Sequence, residues 1–284
     1  MLGQRLLSAA ILGPIVALVF LAGEPWLTIG VALIALIAAH EAFRLLALAG
    51  LPGERAIGLV AAPAAVMGMA VLGPRDGAIA AFVAAVLIAS ALAAFRRDVA
   101  RNGFVAWAGT SFAALYVSLL AFVPAILVTA PSIGPSASLG GFLDEGRVWL
   151  LVLVLTVWSF DTFAYLAGRT FKRGRFLDHI SPSKTWSGVI GGTLAAVVVC
   201  ALLVAGSGQH VLAGVALGLL IAVTAQGGDV AESLLKRAAG AKDSGTLIPG
   251  HGGILDRIDS FLFAAPAMYA GLIVIQLLPN GVPA

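Results

Sequence analysis

The sequence predicts an all-α polytopic membrane protein of about nine transmembrane helices, and three observations support this: composition, long apolar runs and the distribution of basic residues. Of its 284 residues, 60% are hydrophobic and 11% are charged, whereas an ordinary soluble domain has roughly 25% charged residues. So few charges could hardly cover a water-exposed surface without leaving large apolar patches. A soluble globular class is therefore excluded, and lipid is the expected surrounding for most of the chain.

Nine apolar runs come close to the length of about 20 residues that a helix needs to cross the hydrocarbon core. They cover residues 6–22, 26–49, 56–72, 78–95, 112–129, 148–167, 189–205, 211–226 and 261–278. Residues 1–147 are therefore expected to form an N-terminal region of about five spans. Residues 148–284 form a C-terminal region that also contains two polar loops, 168–188 and 227–260, and the chemistry is expected there.

The basic residues predict the orientation of these spans, because Lys and Arg are retained on the cytoplasmic side. With the N-terminus in the cytoplasm, 15 of the 17 basic residues fall in cytoplasmic segments, and only Arg75 and Arg147 lie outside. One missed span would reverse every later loop, so the asymmetry also supports the number of spans. The C-terminus is then expected outside. Because this sorting explains the basic residues, the net charge of +3 does not predict a nucleic-acid partner.

The loop 227–260 contains five carboxylates, four basic side chains and a histidine. In helical segments, Asp229 shares a face with Glu232, and Asp256 shares a face with Asp259 if a helix begins near Ile254. Two carboxylate pairs that flank a glycine-rich stretch could hold a hard divalent cation such as Mg²⁺, which prefers oxygen ligands. The alternative is a solvated amphipathic loop in which these charges only stabilise helices.

Two stretches are predicted to bind anions. The glycine-rich run Gly250–Gly253 presents backbone N–H groups just before a helix, an arrangement that suits a phosphate. The basic side chains expected to neutralise further phosphate oxygens are Lys236, Arg237, Lys242 and Arg257. In loop 168–188, Ser181, Lys184 and Thr185 form a compact cluster before a span, which indicates a second anion site. The basic residues of that loop could instead anchor the topology or attract anionic lipid head groups.

Ionisable residues also occur at the ends of, or within, apolar runs. Asp161 lies about 10 Å from the cytoplasmic end of its run, where a charge costs at least about 2.5 kcal/mol. It is therefore expected to face a polar cavity or a partner, with a packing role beside Ser159 or Thr162 as the alternative. At the end of the second run, Glu41 and Arg44 are expected to form an interfacial i, i+3 pair.

Residues 233–259, SLLKRAAGAKDSGTLIPGHGGILDRID, resemble the signature of the bacterial phosphatidate cytidylyltransferases, or CDP-diacylglycerol synthases. The matching positions are Ser233, Lys236, Arg237, Lys242, Asp243, His251, Gly252, Gly253, Asp256, Arg257 and Asp259. Residues 158–169, 181–188 and 225–233 also resemble family segments, whereas residues 1–147 resemble the family only as hydrophobic spans. The chain departs from the family pattern at Phe163, Ser183, Ser187 and Ala225.

The resemblance implies that the protein transfers CMP from CTP to phosphatidate, releases pyrophosphate and requires Mg²⁺. It further implies a place in phospholipid biosynthesis, at the cytoplasmic side of a bacterial inner membrane, with membrane lipid as a partner. A homodimer is left open.

The same resemblance implies Asp229 and Asp256 as metal ligands, with Asp259 and Asp161 as further ligands or acceptors. Lys242 and His251 are assigned hypothetically to the catalytic group, with His251 near the leaving pyrophosphate. The expected substrate-binding residues are Ser181, Lys184, Thr185, Ser233, Lys236, Arg237, Gly252, Gly253 and Arg257.

Two other functions are weighed against this one. A secondary transporter could use Asp161 as a coupling group, but transporters usually show internal repeats and polar groups in several spans, and neither is visible in the sequence. Another lipid-linked phosphotransferase, of the kind that consumes CDP-linked alcohols, would carry a D-G-x-x-A-R…G-x-x-x-D-x-x-x-D spacing. The sequence lacks that spacing.

Overall fold

A computed structural model describes residues 2–75, 77–133, 137–139, 141, 143–178 and 180–277 of the chain. Within these residues the regular structure is helical, apart from two isolated bridge pairs. The α-helices are α1 (Leu2–Ala22), α2 (Trp26–Leu48), α3 (Arg55–Leu72), α4 (Ala78–Ala94), α5 (Ala100–Ser118), α6 (Phe122–Thr129), α7 (Glu145–Phe171), α8 (Trp186–Gly206), α9 (Val211–Ala238) and α10 (Leu255–Leu277).

Each of the nine predicted apolar runs lies on helix, the last of them as far as residue 277, where the described residues end. Seven helical segments of the described residues are long and apolar enough to cross a membrane, and α5 with α6 counts as one of them, joined by a short 3₁₀ turn at Leu119–Ala121. The two other apolar helices, at Ala10–Ala22 and Ala78–Ala94, are shorter. The prediction of an all-α polytopic membrane protein is therefore confirmed, while the side on which each terminus lies stays a prediction.

Three helices extend well beyond the apolar runs that predicted them. α5 begins at Ala100 instead of residue 112, α7 reaches Phe171, and α9 continues to Ala238. Hydropathy marks the length of helix that faces lipid, whereas polar and small residues continue the same backbone hydrogen bonding past that length. The consequence for the site is that much of the polar stretch 227–260 is helix.

The chain divides into two compact units, each built from two separate stretches. Unit 1 comprises Met1–Pro124 with Leu234–Asp259, and unit 2 comprises Ala125–Ser233 with Ser260–Ala284. The end of α9 and the start of α10 thus belong to unit 1. The division of the sequence at residue 147 was based on composition and stays a prediction.

In unit 1, small residues allow the helices to pack closely. The face of α2 that includes Ala35, Ala38 and Ala42 is completely buried. Gly58 of α3 lies against the ring of Phe43 on α2, so closely that a Cβ at this position would overlap the ring. In a bilayer, where burial of apolar surface does not drive association, such close van der Waals contact holds helices together.

In unit 2, α7 and α8 form a pair that follows the same rule. A Cβ at Gly188 or Gly192 of α8 would lie 2.8 Å from the backbone oxygen of Ala164 or Phe160 of α7. These glycines are four residues apart, one turn of the same helix face. At the other end of α7, the buried indole of Trp149 donates its Nε1–H to the carbonyl of Pro131 at 2.9 Å.

Replacement of Gly192 with leucine should separate α7 from α8, because the new side chain would overlap the Phe160 backbone. Overpacking of this kind destabilises by about 1–3 kcal/mol, so we expect a lower melting temperature of the purified protein in detergent. Gly68→Leu is the matched control, since a Cβ at Gly68 on α3 meets no atom within 4 Å. Equal melting temperatures for the two variants would contradict this account of the α7–α8 contact.

Candidate active site

The ends of α9 and α10 carry the charged residues of the signature segment. Lys236 and Arg237 lie in the last turn of α9, and Asp256 lies in the first turn of α10. Basic side chains near a helix C-terminus and acidic ones near an N-terminus offset the helix dipole. The connection between the two helices, residues 239–254, is therefore bordered by charges of both signs. The predicted helix start near Ile254 is confirmed to within one residue.

Asp256 is held by an ion pair and three hydrogen bonds. Its Oδ1 accepts from Lys236 Nζ at 2.7 Å, and the side chains of Lys236 and Asp256 are only 14% and 5% exposed. Its Oδ2 accepts from the backbone N–H of Ser244, the backbone N–H of Gly253 and the hydroxyl of Ser244, each at 2.8 Å. These donors offset the desolvation of a buried carboxylate and fix its orientation.

Glu41 of α2 reaches the same connection from the N-terminal part of the chain. The residue is 5% exposed, and its carboxylate accepts from the backbone N–H of Ile254 at 3.1 Å and of Leu255 at 2.8 Å. Its Oε2 also lies 2.9 Å from Ser244 Oγ. Arg44, one turn later, donates to the Ser244 carbonyl at 2.6 Å. Both side chains thus contact the connection, which the expected interfacial pair of Glu41 with Arg44 did not include.

Sequence reasoning missed the role of Glu41 because its partners are more than 200 positions away. The available signal was an acidic residue inside a mostly apolar helix, since such a group requires hydrogen-bond donors when it is buried.

His251 is oriented by a contact with α1. Its Nδ1 lies 2.8 Å from Ser8 Oγ, and the Ser8 hydroxyl donates to the Pro249 carbonyl at 3.2 Å. The contact with Ser8 orients the imidazole ring, and the tautomer of the ring sets which of the two atoms donates.

The other predicted residues of unit 1 are more exposed or have a backbone role. Lys242, Arg237 and Arg257 are exposed, and the guanidinium of Arg237 donates to the carbonyl of Ala241 at 3.3 Å. Asp259 follows Asp256 by three residues on α10 and is partly buried. Gly252 has a φ of +86°, which favours glycine there.

Unit 2 contains a second lysine–aspartate pair. Lys184 Nζ lies 2.7 Å from Asp229 Oδ2, and the two side chains are 16% and 34% exposed. Ser233, one turn further along α9, donates its hydroxyl to Asp229 Oδ1 at 3.5 Å. The structure therefore brings together three predicted site residues from two separate segments of sequence.

Two other predicted residues of the 181–188 segment contribute to local structure. Thr185 is the N-cap of α8 and accepts from the backbone N–H of Gly188 at 3.1 Å. The Ser181 carbonyl accepts from the N–H of Lys184 at 3.1 Å, which closes the turn before the cap. The backbone conformation that presents Lys184 to Asp229 is thus set by its neighbours.

Asp161 lies within α7, and its side chain is exposed. The polar cavity expected around it stays a prediction.

The carboxylates of the candidate site are the oxygen ligands that Mg²⁺ would need. Within the part of the chain that the structure describes, no group of three or more His, Cys, Asp or Glu side chains is placed to hold a metal ion. Mg²⁺ usually binds through one or two carboxylates and completes its shell with water and substrate phosphate. Asp229 and Asp256 each hold an ammonium nitrogen at 2.7 Å. Carboxylate oxygens are the ligand type that Mg²⁺ prefers, and a metal ion at either residue would have to share the carboxylate with its lysine.

The sequence of this chain is similar to the sequences of several known proteins. Phosphatidate cytidylyltransferase from Brucella abortus biovar 1 (strain 9-941) is 45% identical over 128 residues, which are 44% of this chain and 46% of the relative. Phosphatidate cytidylyltransferase from Rickettsia felis is 37% identical over 158 residues, 52% of this chain and 70% of the relative. Phosphatidate cytidylyltransferase 4, chloroplastic, from Arabidopsis thaliana is 45% identical over 130 residues, 43% and 33% of the two chains.

The chain spans about half the length of the first of these relatives. The model of the cytidylyltransferase family, by contrast, matches residues 3–275, which include both lysine–aspartate pairs and the connection that holds Asp256. From this match, the chain belongs to the cytidylyltransferase family.

Proposed function

We propose that the protein is a phosphatidate cytidylyltransferase, a nucleotidyltransferase of phospholipid biosynthesis. It transfers CMP from CTP to phosphatidate and yields CDP-diacylglycerol and pyrophosphate. The observation that carries this proposal is the buried Lys236–Asp256 pair at 2.7 Å, at the start of a membrane-spanning helix and inside the segment shared with the family. Membership of the cytidylyltransferase family and the names of the relatives support the substrates.

The charged residues lie where one substrate could arrive from water and the other from the lipid bilayer. CTP is soluble in water, whereas the acyl chains of phosphatidate stay in lipid. The connection 239–254 joins the ends of two apolar helices, so a phosphate bound there would lie at the rim of the hydrocarbon. The distribution of Lys and Arg supports a site on the cytoplasmic side of the bacterial inner membrane.

The proposed reaction forms a bond between a phosphate oxygen of phosphatidate and the α-phosphorus of CTP. The bond from that phosphorus to the oxygen bridging the β-phosphorus breaks, and its electron pair leaves with pyrophosphate. The nucleophile is already an anion at neutral pH, so no strong general base is needed. Catalysis then consists of positioning and neutralisation of phosphate charge.

The protein's own cations supply part of that neutralisation. Lys236 is held in place by Asp256, and Lys184 by Asp229, so each ammonium has a defined position before substrate arrives. The exposed side chains of Arg237, Lys242 and Arg257 could move toward the phosphates of CTP, and guanidinium groups suit them because they donate two parallel hydrogen bonds. Ser233, Ser181, Thr185, Gly252 and Gly253 remain proposed substrate-binding residues.

Asp229 and Asp256 are the proposed ligands of Mg²⁺, and Asp259 and Asp161 the proposed further ligands or acceptors. When bound, the metal ion supplies additional neutralisation of phosphate charge. His251, oriented by Ser8, is proposed to lie near the leaving pyrophosphate. A homodimer stays a prediction.

The reaction is tested directly by product analysis. Purified protein in detergent, given labelled CTP, phosphatidate and Mg²⁺, should form CDP-diacylglycerol and pyrophosphate, identified by mass spectrometry. The absence of this product from folded protein, together with solute flux into liposomes without nucleotide, would favour the transporter instead.

Loss of either proposed ligand should lower activity. Asp256→Asn and Asp229→Asn remove a carboxylate charge, and we expect turnover to fall by about 10²- to 10³-fold, as when one electrostatic contribution to a transition state is removed. Asp98→Asn is the control, because Asp98 is exposed between α4 and α5.

Asp256→Asn removes the carboxylate charge that pairs with Lys236, so this variant is also expected to lose stability. The Asp229→Asn variant provides the second test. The Asp229 side chain is 34% exposed, so removal of its charge should disturb folding less. Unaltered turnover in folded Asp229→Asn would refute its role in metal binding.

Removal of the metal should abolish the reaction reversibly. Treatment with EDTA followed by gel filtration should reduce CDP-diacylglycerol formation to background, and added Mg²⁺ should restore it, because the clustered phosphate charges of CTP and phosphatidate require a cation. Full activity in chelated, metal-free protein would show that the lysines alone suffice.

A further inference from the structure

Glu41 lies outside the segments that resemble the family signature, yet its carboxylate contacts the connection that holds Asp256. We propose that Glu41 is a positioning residue for the transfer reaction: it holds the N-terminus of α10 and, through Ser244, sets the orientation of Asp256. The inference rests on the proposed function for the reaction concerned. The contacts that support it belong to unit 1 alone.

The N-terminal amides of α10 donate to side chains. An α-helix leaves its first four N–H groups without partners inside the helix. Here the N–H groups of Ile254 and Leu255 donate to Glu41, and that of Asp256 to Ser244 Oγ at 3.2 Å. Gly253, just before them, donates to Asp256 Oδ2. Glu41 therefore takes two of the donors that define where α10 begins.

Ser244 couples the two carboxylates. Its Oγ lies 2.9 Å from Glu41 Oε2 and 2.8 Å from Asp256 Oδ2, and the residue is fully buried. One hydroxyl proton can serve only one of the two oxygens at a time. A change at Glu41 therefore changes the hydrogen bond that Ser244 offers to Asp256, and the ion pair of Asp256 with Lys236 depends on that orientation.

Two glycines of the connection make room for Glu41. A Cβ at Gly245 would collide with the Glu41 carboxylate, and a Cβ at Gly253 would collide with Ser244 Oγ and with both carboxylate oxygens of Glu41. Neither glycine has a positive φ, so backbone conformation does not require glycine at these positions. The sequence suggested Gly253 as a phosphate-binding amide. Its N–H donates to Asp256, and the close approach of Ser244 Oγ and of Glu41 leaves no room for a side chain there.

The Glu41→Gln variant tests whether Glu41 acts by accepting hydrogen bonds or only by its volume. Glutamine has nearly the same volume, but it replaces one acceptor oxygen by an NH₂ group, which would face donors. We expect kcat per folded molecule to fall by about 10- to 100-fold, the loss associated with slight misplacement of reacting groups, while KM for CTP changes much less. Glu54→Gln, at the start of α3 and paired with Arg97, should keep wild-type kcat. Wild-type kcat in folded Glu41→Gln would overturn the proposal.

Hydrogen exchange measured by mass spectrometry tests the contact without using activity. The amides of Ile254 and Leu255 should exchange faster in Glu41→Gln than in the wild type, and at unchanged rates in Glu54→Gln. Unchanged exchange in Glu41→Gln would overturn the proposal. If the wild type makes no CDP-diacylglycerol, the proposed function fails, whereas the exchange result still decides whether Glu41 holds this segment.

A double-mutant cycle tests the explanation of Gly245, where the atoms nearest to an added Cβ belong to the Glu41 carboxylate. Gly245→Ala should lower kcat by at least about tenfold when Glu41 is present, because the methyl group displaces the carboxylate. In a Glu41→Ala background the same substitution should have a much smaller effect, since the methyl group then enters vacated space. Contacting residues are expected to show such non-additivity. An equal loss in both backgrounds would overturn the claim that Gly245 makes room for Glu41.

Discussion

The candidate site in unit 1 depends on the need of two buried carboxylates for hydrogen-bond donors. Glu41 and Asp256 lie at the start of α10, where water is excluded, and a charge there is unfavourable unless each oxygen is paired. The connection 239–254 supplies the donors from its own backbone. This requirement explains why backbone N–H groups of the connection point toward the two carboxylates. It also explains why Gly245 and Gly253 lie beside Glu41, and why Lys236 forms an ion pair with Asp256.

In unit 2, the carboxylate of Asp229 also requires a partner, and it has fewer contacts than Asp256 has in unit 1. Asp229 on α9 is paired with Lys184, and the turn before α8 presents that lysine because Thr185 caps the helix. The glycines of α8 bring it close to α7. In both units, small residues inside the spans permit close packing. Lys236 and Asp256 lie at helix ends, whereas Asp229 lies within α9 and is paired with Lys184. Pairing of such groups is expected in lipid, because the hydrocarbon offers no donors or acceptors.

The proposed reaction matches such a site. Joining two phosphate compounds requires little proton transfer, and the main barrier is the repulsion between anions. Lysines held in advance by carboxylates meet that need, since their positions are set before the substrates bind and little reorganisation remains. The same carboxylates are the proposed ligands of Mg²⁺, so the proposal divides the neutralisation of phosphate charge between the lysines and a metal ion.

The nine apolar runs and the approximate start of α10 could be predicted from the sequence by itself, because hydropathy and helix periodicity are local properties. The residues of the signature could also be recognised there. The sequence also singled out Asp229, Lys236 and Asp256. The tertiary structure alone decided which lysine meets which aspartate, and that Glu41 reaches Ser244 across 203 positions. Such pairings arise when helices distant in sequence pack together, and no local pattern encodes them. The apolar runs also predicted lengths for α5, α7 and α9 that are too short, because the hydrogen bonding of a helix continues where its contact with lipid ends.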